Sequence, residues 1–414
     1  MLIGCGRSEI LFPNDFFPTE GFTKLAHPLY VRTLLLGKDA PILLVSIEMT
    51  SLPDDVIAFL RKTTAERVET HVQNVWIMVT HTFSAPHILP DHLMKTPADQ
   101  EHRSKLQKAL WDAVCAAASQ AKDNLQVASL DIWHGESAVS ASRDIELPEG
   151  WWVGCNGAGD SDRTLTVLRA TCDEKTKLIL FHLNVQSSVL DQTGAENGKC
   201  VSGDLAGIAC AELERRYPGA TAFFIIGAAG DQAPIRRAAG YVPDGQGFYR
   251  EVDLHEAGIV IAEELGAMLA DEVQSLLSSK GKPIHGNAKI TNASVTVQTK
   301  KMNRNLHELM PTHSCDWEME GESQQPISLL TLGSLAIVGV KPELTYATNH
   351  QIKAHSPFAY TLVATLVNGG AKYMAEQSAY DKVMYEAMNS PFAPGSAERM
   401  AKKALQILHE ASKS

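Results

Sequence analysis

Asn74-Val75-Trp76-Ile77-Met78-Val79-Thr80-His81-Thr82-Phe83-Ser84-Ala85-Pro86-His87 sets an apolar, β-branched and aromatic run against a polar turn that carries two histidines. Residues 75–79 read as a buried strand, and Ser84-Ala85-Pro86 forbids its continuation. His81 therefore falls at the carboxyl end of a strand, the rim at which open α/β sheets place their ligands. A surface turn that happens to contain histidine fits the same residues. The segment by itself leaves both alternatives open.

On either side, strand and helix patterns interleave. Residues 53–72 carry Val56, Phe59, Leu60 and Val68 among charges and predict an amphipathic helix leading into the 75–79 strand. Residues 100–125 predict a second, with Leu106, Leu110, Val114 and Ala117 at helical spacing. Residues 165–168 and 178–185 read as paired strands around a turn at Asp173-Glu174-Lys175, 205–216 as a helix, 221–226 as a buried strand and 254–279 as a long helix. Residues 284–298 and 327–340 are β-rich, the latter broken at Leu332-Gly333-Ser334 as in a hairpin, and a final helix covers 397–411. The order predicts an α/β fold, a mixed β-sheet with flanking helices.

A chain of 414 residues with 44% hydrophobic content can bury a large core, and its length leaves room for two or three domains. No linker, low-complexity tract or repeat marks a boundary, so a single large domain over residues 1–414 is expected, with no second domain. The net charge of −11 is spread along the chain, which argues against nucleic acid or an anionic membrane as partner. Met1-Leu2-Ile3-Gly4-Cys5-Gly6 enters a strand pattern at once, without the regions of a secretory signal, and no apolar run reaches the roughly 18 residues that span a bilayer. A cytoplasmic protein without a membrane anchor, or one whose leader was removed, is expected. Seven cysteines without a C-x-x-C pair agree with a reducing compartment. Cys155, beside Asn156 and Gly157, is either a nucleophile or a buried thiol, and burial is the commoner role. The expected partner is a small-molecule substrate; the sequence does not give the oligomeric state.

Motifs along the chain resemble, in order, those of the neutral/alkaline ceramidase family. Thr80-His81-Thr82-Phe83-Ser84-Ala85-Pro86 resembles its Thr-His-Thr-His-Ser-Gly-Pro motif, and Ile3-Gly4-Cys5-Gly6-Arg7-Ser8-Glu9-Ile10 its amino-terminal Gly-x-Gly-x-x-Asp-Ile strand. Pro28-Leu29-Tyr30-Val31-Arg32 and Ile42-Leu43-Leu44-Val45-Ser46-Ile47-Glu48 resemble the two strands that follow. Ser202-Gly203-Asp204-Leu205-Ala206-Gly207 matches its Ser-Gly-Asp-x-x-Gly helix start, and Gly227-Ala228-Ala229-Gly230-Asp231-Gln232-Ala233-Pro234 its Gly-Ala-Ala-Gly-Asp-x-x-Pro loop. Val340-Lys341-Pro342-Glu343-Leu344-Thr345 matches the Pro-x-Glu turn, and the run from Tyr373 through Tyr380 to Tyr385-Glu386 keeps the family's three-tyrosine spacing. The series spans residues 3 to 386 and implies the fold of the neutral ceramidase catalytic domain, a zinc-dependent amide hydrolase.

The resemblance implies His81, Glu343 and Tyr373 as zinc ligands. Hydrolytic zinc sites need three or four protein ligands and a place for water, whose pKa the metal lowers to about 7. From the residues alone, Glu343 is equally a solvated turn carboxylate and Tyr373 a core aromatic. Gln186 falls where the family has its second zinc histidine. An amide carbonyl is a weaker donor than imidazole, so weaker zinc binding or another divalent ion is expected. His182, four residues back on the same strand face, lies roughly 13 Å away at about 3.3 Å per residue and is a poor substitute.

Phe83 replaces the motif's second histidine, which in the family contacts substrate or the developing charge, and so is expected to bind substrate. Arg143, in Ser140-Ala141-Ser142-Arg143-Asp144, matches the arginine of the family's Asn-x-Asn-Arg segment, and Tyr385 its substrate-contacting tyrosine. A guanidinium and a phenol aimed at one oxygen would stabilise an oxyanion by several kcal/mol. The alternative for Arg143 is an ion pair with Asp144 or Glu146. The loop ending in Asp231 either presents backbone N–H groups to an anionic ligand or is a tight turn with Asp231 capping the next segment. His71, His87, His92 and His134 show no ligand spacing and read as surface or loop residues.

These features predict a metal-dependent hydrolase of a small amide C–N bond, with metal-bound water attacking the carbonyl. Ceramide itself is not the expected substrate, because ceramide-cleaving members resemble longer, secreted chains with a further carboxyl-terminal β domain. Gln186 and Phe83 raise two alternatives: a metal-free enzyme, and a non-catalytic binding protein that re-uses the pocket.

Overall fold

The strand Ile42–Ile47 is buried along its whole length and divides its side chains between two cores. Leu43, Val45 and Ile47 join one apolar cluster, while Ile42 and Leu44 join another, the alternation that a period of two imposes. Val75–Val79 pairs with it in parallel and splits in the same way, Ile77 to the first side and Trp76 and Met78 to the second. Strands buried on both faces read as continuous apolar runs, which is why these segments were legible in sequence.

The computed structural model, which describes residues 1–191, 193, 198–246, 248–302 and 309–413, is layered. In the first sheet the order is Val75–Val79, Ile42–Ile47, Tyr30–Leu36, Leu2–Glu9 and Gln126–Val127. Its outer face is covered by the helices Asp54–Val68 and Pro97–Asp123, through Leu60, Leu106, Leu110 and Val114. Its inner face packs on a second sheet, ordered Thr221–Ile226, Lys175–Leu183, Thr164–Cys172, Ser129–Glu136 and Lys282–Pro283, and on a third, ordered Ala288–Lys300, Met319–Leu332, Leu335–Val340 and Tyr360–Ala364. The far face of the second sheet carries the helices Asp204–Arg216 and Gly258–Leu277, and that of the third carries Ser396–Ala411. Among the described residues no helix is long and apolar enough to cross a membrane.

Two of the motifs are close-packing devices. A Cβ at Gly4 or Gly6 would stand within 2 Å of the carbonyl oxygens of Ala121 or Ala117, so only glycine lets the helix Pro97–Asp123 lie on that strand. A Cβ at Gly203 or Gly207 would press on the carboxylate of Glu48, which with Glu214 neutralises the buried Arg32.

Differences from the sequence expectation are local. The second helix begins at Pro97 rather than near residue 100, because Thr96 and Asp99 form a capping box ahead of it. The long helix expected over 254–279 starts with a 3₁₀ turn at His255–Ala257. Ser129–Glu136, Ser140–Leu147 and Gly150–Asn156 are strands that the apolar pattern did not mark, since polar residues interrupt the first two and glycines the third. The hairpin break does fall at Gly333, at a left-handed φ of 55°.

Candidate functional site

Three chain segments leave the carboxyl ends of strands on different sheets and meet. His81 follows Val75–Val79, Gln186 follows Lys175–Leu183 and Glu343 follows Leu335–Val340, and Tyr373 is the parallel pairing partner of Glu343. His81 adopts a left-handed φ of 60°, which turns its ring inward. Its Nδ1 lies 2.6 Å from the carbonyl oxygen of Thr50, a group that can only accept, so Nδ1 carries a proton. On the neutral ring Nε2 is then a bare lone pair. It is buried, makes no hydrogen bond, and lies 3.2 Å from Oε2 of Glu343.

Two acceptors this close need a cation between them. A proton on Nε2 would serve, and so would a divalent ion. Two ligands at about 2.0–2.1 Å from one tetrahedral ion sit roughly 3.3 Å apart, which matches the pair. Burial pulls the His81 pKa down, but Glu343 and the Thr50 carbonyl outweigh it and hold the pKa above its usual value. Burial pushes Glu343 up, and His81, Arg143 and Gln186 bring it below the usual carboxylate range.

Gln186, expected as a ligand from its motif position, is held between two side chains. Its Oε1 accepts from Nη1 of Arg143 at 3.0 Å, and its Nε2 donates to Oε2 of Glu343 at 2.9 Å. Flipping the amide would set donor against donor and acceptor against acceptor, so both neighbours fix its sense. What faces the His81–Glu343 pair is an N–H donor. The residue braces Glu343 instead of offering a lone pair.

Arg143 is the reason. Its guanidinium is held by Glu386, from Nε at 2.9 Å and from Nη2 at 2.5 Å, with both side chains buried. It also lies 5.1 Å from the ring centre of Tyr373 and 5.5 Å from that of Tyr385. The ion-pair partner is therefore Glu386, rather than Asp144 or Glu146, and Arg143 stands behind the Gln186–Glu343 pair without lining the cleft in front of it. An oxyanion contact from Arg143 does not follow from this geometry; it positions the groups that do face the cleft.

That cleft has a volume of about 450 Å³ and exposes His81, Glu343, Tyr373 and Tyr385 on one side. Burial pushes the Tyr373 phenol well above its ordinary range, so it is neutral in the free protein. Tyr385 Oη accepts from Nδ2 of Asn389 at 3.2 Å, which leaves its own proton for a ligand. Phe83 packs against His81 edge to face, 4.7 Å between ring centres, and lines the cleft. Leu52, Ile88 and Leu93 form an apolar wall. Among the described residues no three histidine, cysteine, aspartate or glutamate side chains converge as a metal cluster. His81 and Glu343 offer two ligand atoms, and Tyr373, the pairing partner of Glu343, lines the same cleft.

Asp231, expected at the substrate, lies outside the cleft lining. Both its carboxylate oxygens accept from the backbone N–H of Tyr346, at 2.9 and 3.0 Å, at the start of the helix Tyr346–Ala354, and it does not line the cleft. Burial, with the nearby Glu376 and Glu386, raises its pKa from 3.8 to about 7. In the folded state it therefore keeps a proton that the unfolded chain has already released. Its contribution is fully present below about pH 4 and is lost as pH rises towards 7. Asp231→Asn keeps an acceptor for Tyr346 and should flatten the fall in stability across this window by up to one bound proton, read by urea denaturation at stepped pH. An unchanged slope would mean that Asp231 is ionised throughout.

Other candidates resolve simply. Cys155 donates to the carbonyl of Ile235 at 2.9 Å, and burial raises its pKa, the opposite of an activated nucleophile. His182 bonds the carbonyl of Val363, and His134 the hydroxyl of Thr166. His87 pairs with Glu20 at the cleft edge, His71 is exposed, and the side chain of His92 lies outside the described residues. Thr50, Lys372 and Glu386 escaped the sequence reading. None had a signal in the sequence, since the burial of Arg143, which calls for the counter-charge of Glu386, shows only in the folded chain.

No family model matches the chain, and no curated protein matches it. Solved structures do. A ceramidase solved in complex with C2 superposes with a TM-score of 0.75 at 14% identity, over 100% of this chain and 75% of that one. The neutral ceramidase from Pseudomonas aeruginosa gives a TM-score of 0.75 at 15% identity, over 99% of this chain and 74% of that one. The likeness shows that the fold is that of the neutral ceramidases, as the motif series implied.

Proposed function

We propose that this protein is a divalent-metal-dependent hydrolase of a small amide, with zinc as its ion. One observation carries the proposal: two buried acceptors, His81 Nε2 and Glu343 Oε2, face each other at 3.2 Å, and while Gln186 donates to Glu343, His81 Nε2 has no hydrogen-bond partner. His81, Glu343 and Tyr373 would hold the ion, a three-ligand set of the kind that leaves a position for water. When bound, such an ion supplies a water of lowered pKa and polarises the carbonyl. The chain's own groups do the rest. The Thr50 carbonyl fixes the tautomer and orientation of His81, and the Gln186 amide fixes Glu343 from the outer shell. Tyr385 donates to the oxygen on which negative charge develops, and the apolar wall keeps the reacting bond dry.

The metal-free alternative draws on the same pair. A proton on Nε2 satisfies Glu343 as an ion would, and the Glu386–Arg143–Gln186 chain needs no metal to close. The experiment that separates them is zinc analysis after dialysis, together with hydrolysis of short N-acyl amines before chelation, after it, and after zinc is restored. Turnover lost and regained with zinc supports the proposal; turnover indifferent to chelation overturns it. Tyr385→Phe should then lower kcat by roughly 100- to 1,000-fold with little change in KM, the cost of one oxyanion donor. A rise in KM with kcat unchanged would remove that role.

A further inference from the structure

We infer that the amide this cleft takes carries a carboxylate, as an N-acylated amino acid does, and that Lys372 recognises it. The inference rests on the hydrolase proposal for the scissile bond and adds to it the charge of the substrate. Among the described residues Lys372 is the only lysine or arginine lining the cleft, and its ammonium has no hydrogen bond or ion pair. The chain as a whole carries a net charge of −11, so a cation at the mouth of this cleft runs against the overall charge. The side chain is exposed, at the solvent edge of the cleft, while Glu343 and Tyr373 lie buried beside it.

Its place is fixed by the backbone. The carbonyl of Lys372 accepts from the N–H of Glu343 at 2.9 Å, so the lysine and the candidate metal-binding carboxylate move as one unit. The loop before it is tightly wound, with left-handed φ values at Leu366, Asn368, Gly369 and Lys372. Asn368 ties that loop to the strand Val75–Val79, exchanging hydrogen bonds of 2.7 and 2.9 Å with Ile77. Left-handed conformations at non-glycine residues cost energy and persist where the surroundings enforce them, commonly at ligand sites. A substrate lying across the cleft would meet the apolar wall of Leu52, Ile88 and Leu93 with its acyl group, Glu343 and Tyr385 at the carbonyl, and Lys372 beyond the nitrogen. The group that answers an unpaired ammonium there is an anion on the amine half.

The test compares N-hexanoylglycine with its neutral N-methylamide on the zinc-loaded protein. The expected result is a preference in kcat/KM for the glycine conjugate of roughly tenfold or more, the scale of a charge-assisted hydrogen bond. Lys372→Met should bring the ratio close to one and Lys372→Glu should invert it. Lys372→Arg should keep it, and the remote exposed Lys402→Met should not move it. Equal turnover of both compounds by wild type and Lys372→Met would overturn the inference and leave the hydrolase proposal standing. If neither compound is hydrolysed, the hydrolase proposal fails, and calorimetric titration with N-hexanoylglycine still decides: binding weakened by Lys372→Met supports the carboxylate site, and binding absent or unaffected overturns it. Thermal denaturation of each variant checks that the fold is kept.

Discussion

Glu386→Ala is expected to destabilise the folded protein by roughly 3–5 kcal/mol, the cost of removing one partner from a buried ion pair. Arg143 and Glu386 are 5% and 1% exposed, so the guanidinium left behind can neither reach solvent nor leave without moving Gln186 and the rings of Tyr373 and Tyr385. The loss comes from the stranded charge and not from the missing attraction. It should therefore shrink when both partners go: an Arg143→Met, Glu386→Leu double variant should lose less than the sum of the single changes, because apolar replacement of a buried pair is often close to neutral. Urea denaturation followed by circular dichroism measures all of these variants. A loss below about 1 kcal/mol for Glu386→Ala, the range of an exposed pair, would mean that water reaches Arg143.

The parts of the fold that could be read from sequence are those whose burial is simple. Residues 75–79, 178–183 and 221–226 lie between two packed layers, so their side chains are apolar on both faces and the run itself is the signal. Ser140–Leu147 gave no such signal because its buried positions include Ser140, Ser142 and Arg143, of which Ser140 and Arg143 are satisfied by partners distant in sequence and Ser142 accepts from the N–H of Asp144. The site divides in the same way. His81 was legible as a residue delivered by a strand end, and Glu343 and Tyr373 only through the motif series. The sense of the Gln186 amide was not legible at all, because it depends on Arg143, which depends in turn on Glu386, 243 residues further along the chain. Asp231 is a further case. The sequence offered it as a cap for the segment that follows it, but its carboxylate meets the N–H of Tyr346, 115 residues away, a contact no local pattern shows.

The largest effect on the metal should come from Gln186→His. In the wild-type protein the amide turns its N–H towards Glu343 and its carbonyl towards Arg143, so position 186 offers no lone pair to the His81–Glu343 pair. An imidazole at that position presents a nitrogen lone pair from the same backbone and turns a three-donor set into four. Zinc affinity should rise by at least roughly 10–100-fold, the range over which metal sites respond even to outer-shell changes, and zinc retained after dialysis should rise with it. The substitution also takes an acceptor from Arg143, which could loosen the site and mask the gain. Gln186→Ala isolates that cost, since it removes the amide and adds no ligand. Occupancy that climbs in the histidine variant and not in the alanine variant identifies the added nitrogen as the cause. Full occupancy in wild type and histidine variant alike would mean that His81, Glu343 and Tyr373 already suffice, whereas no zinc in either would leave the proton on His81 as the cation that the facing acceptors require and would end the metal-dependent proposal.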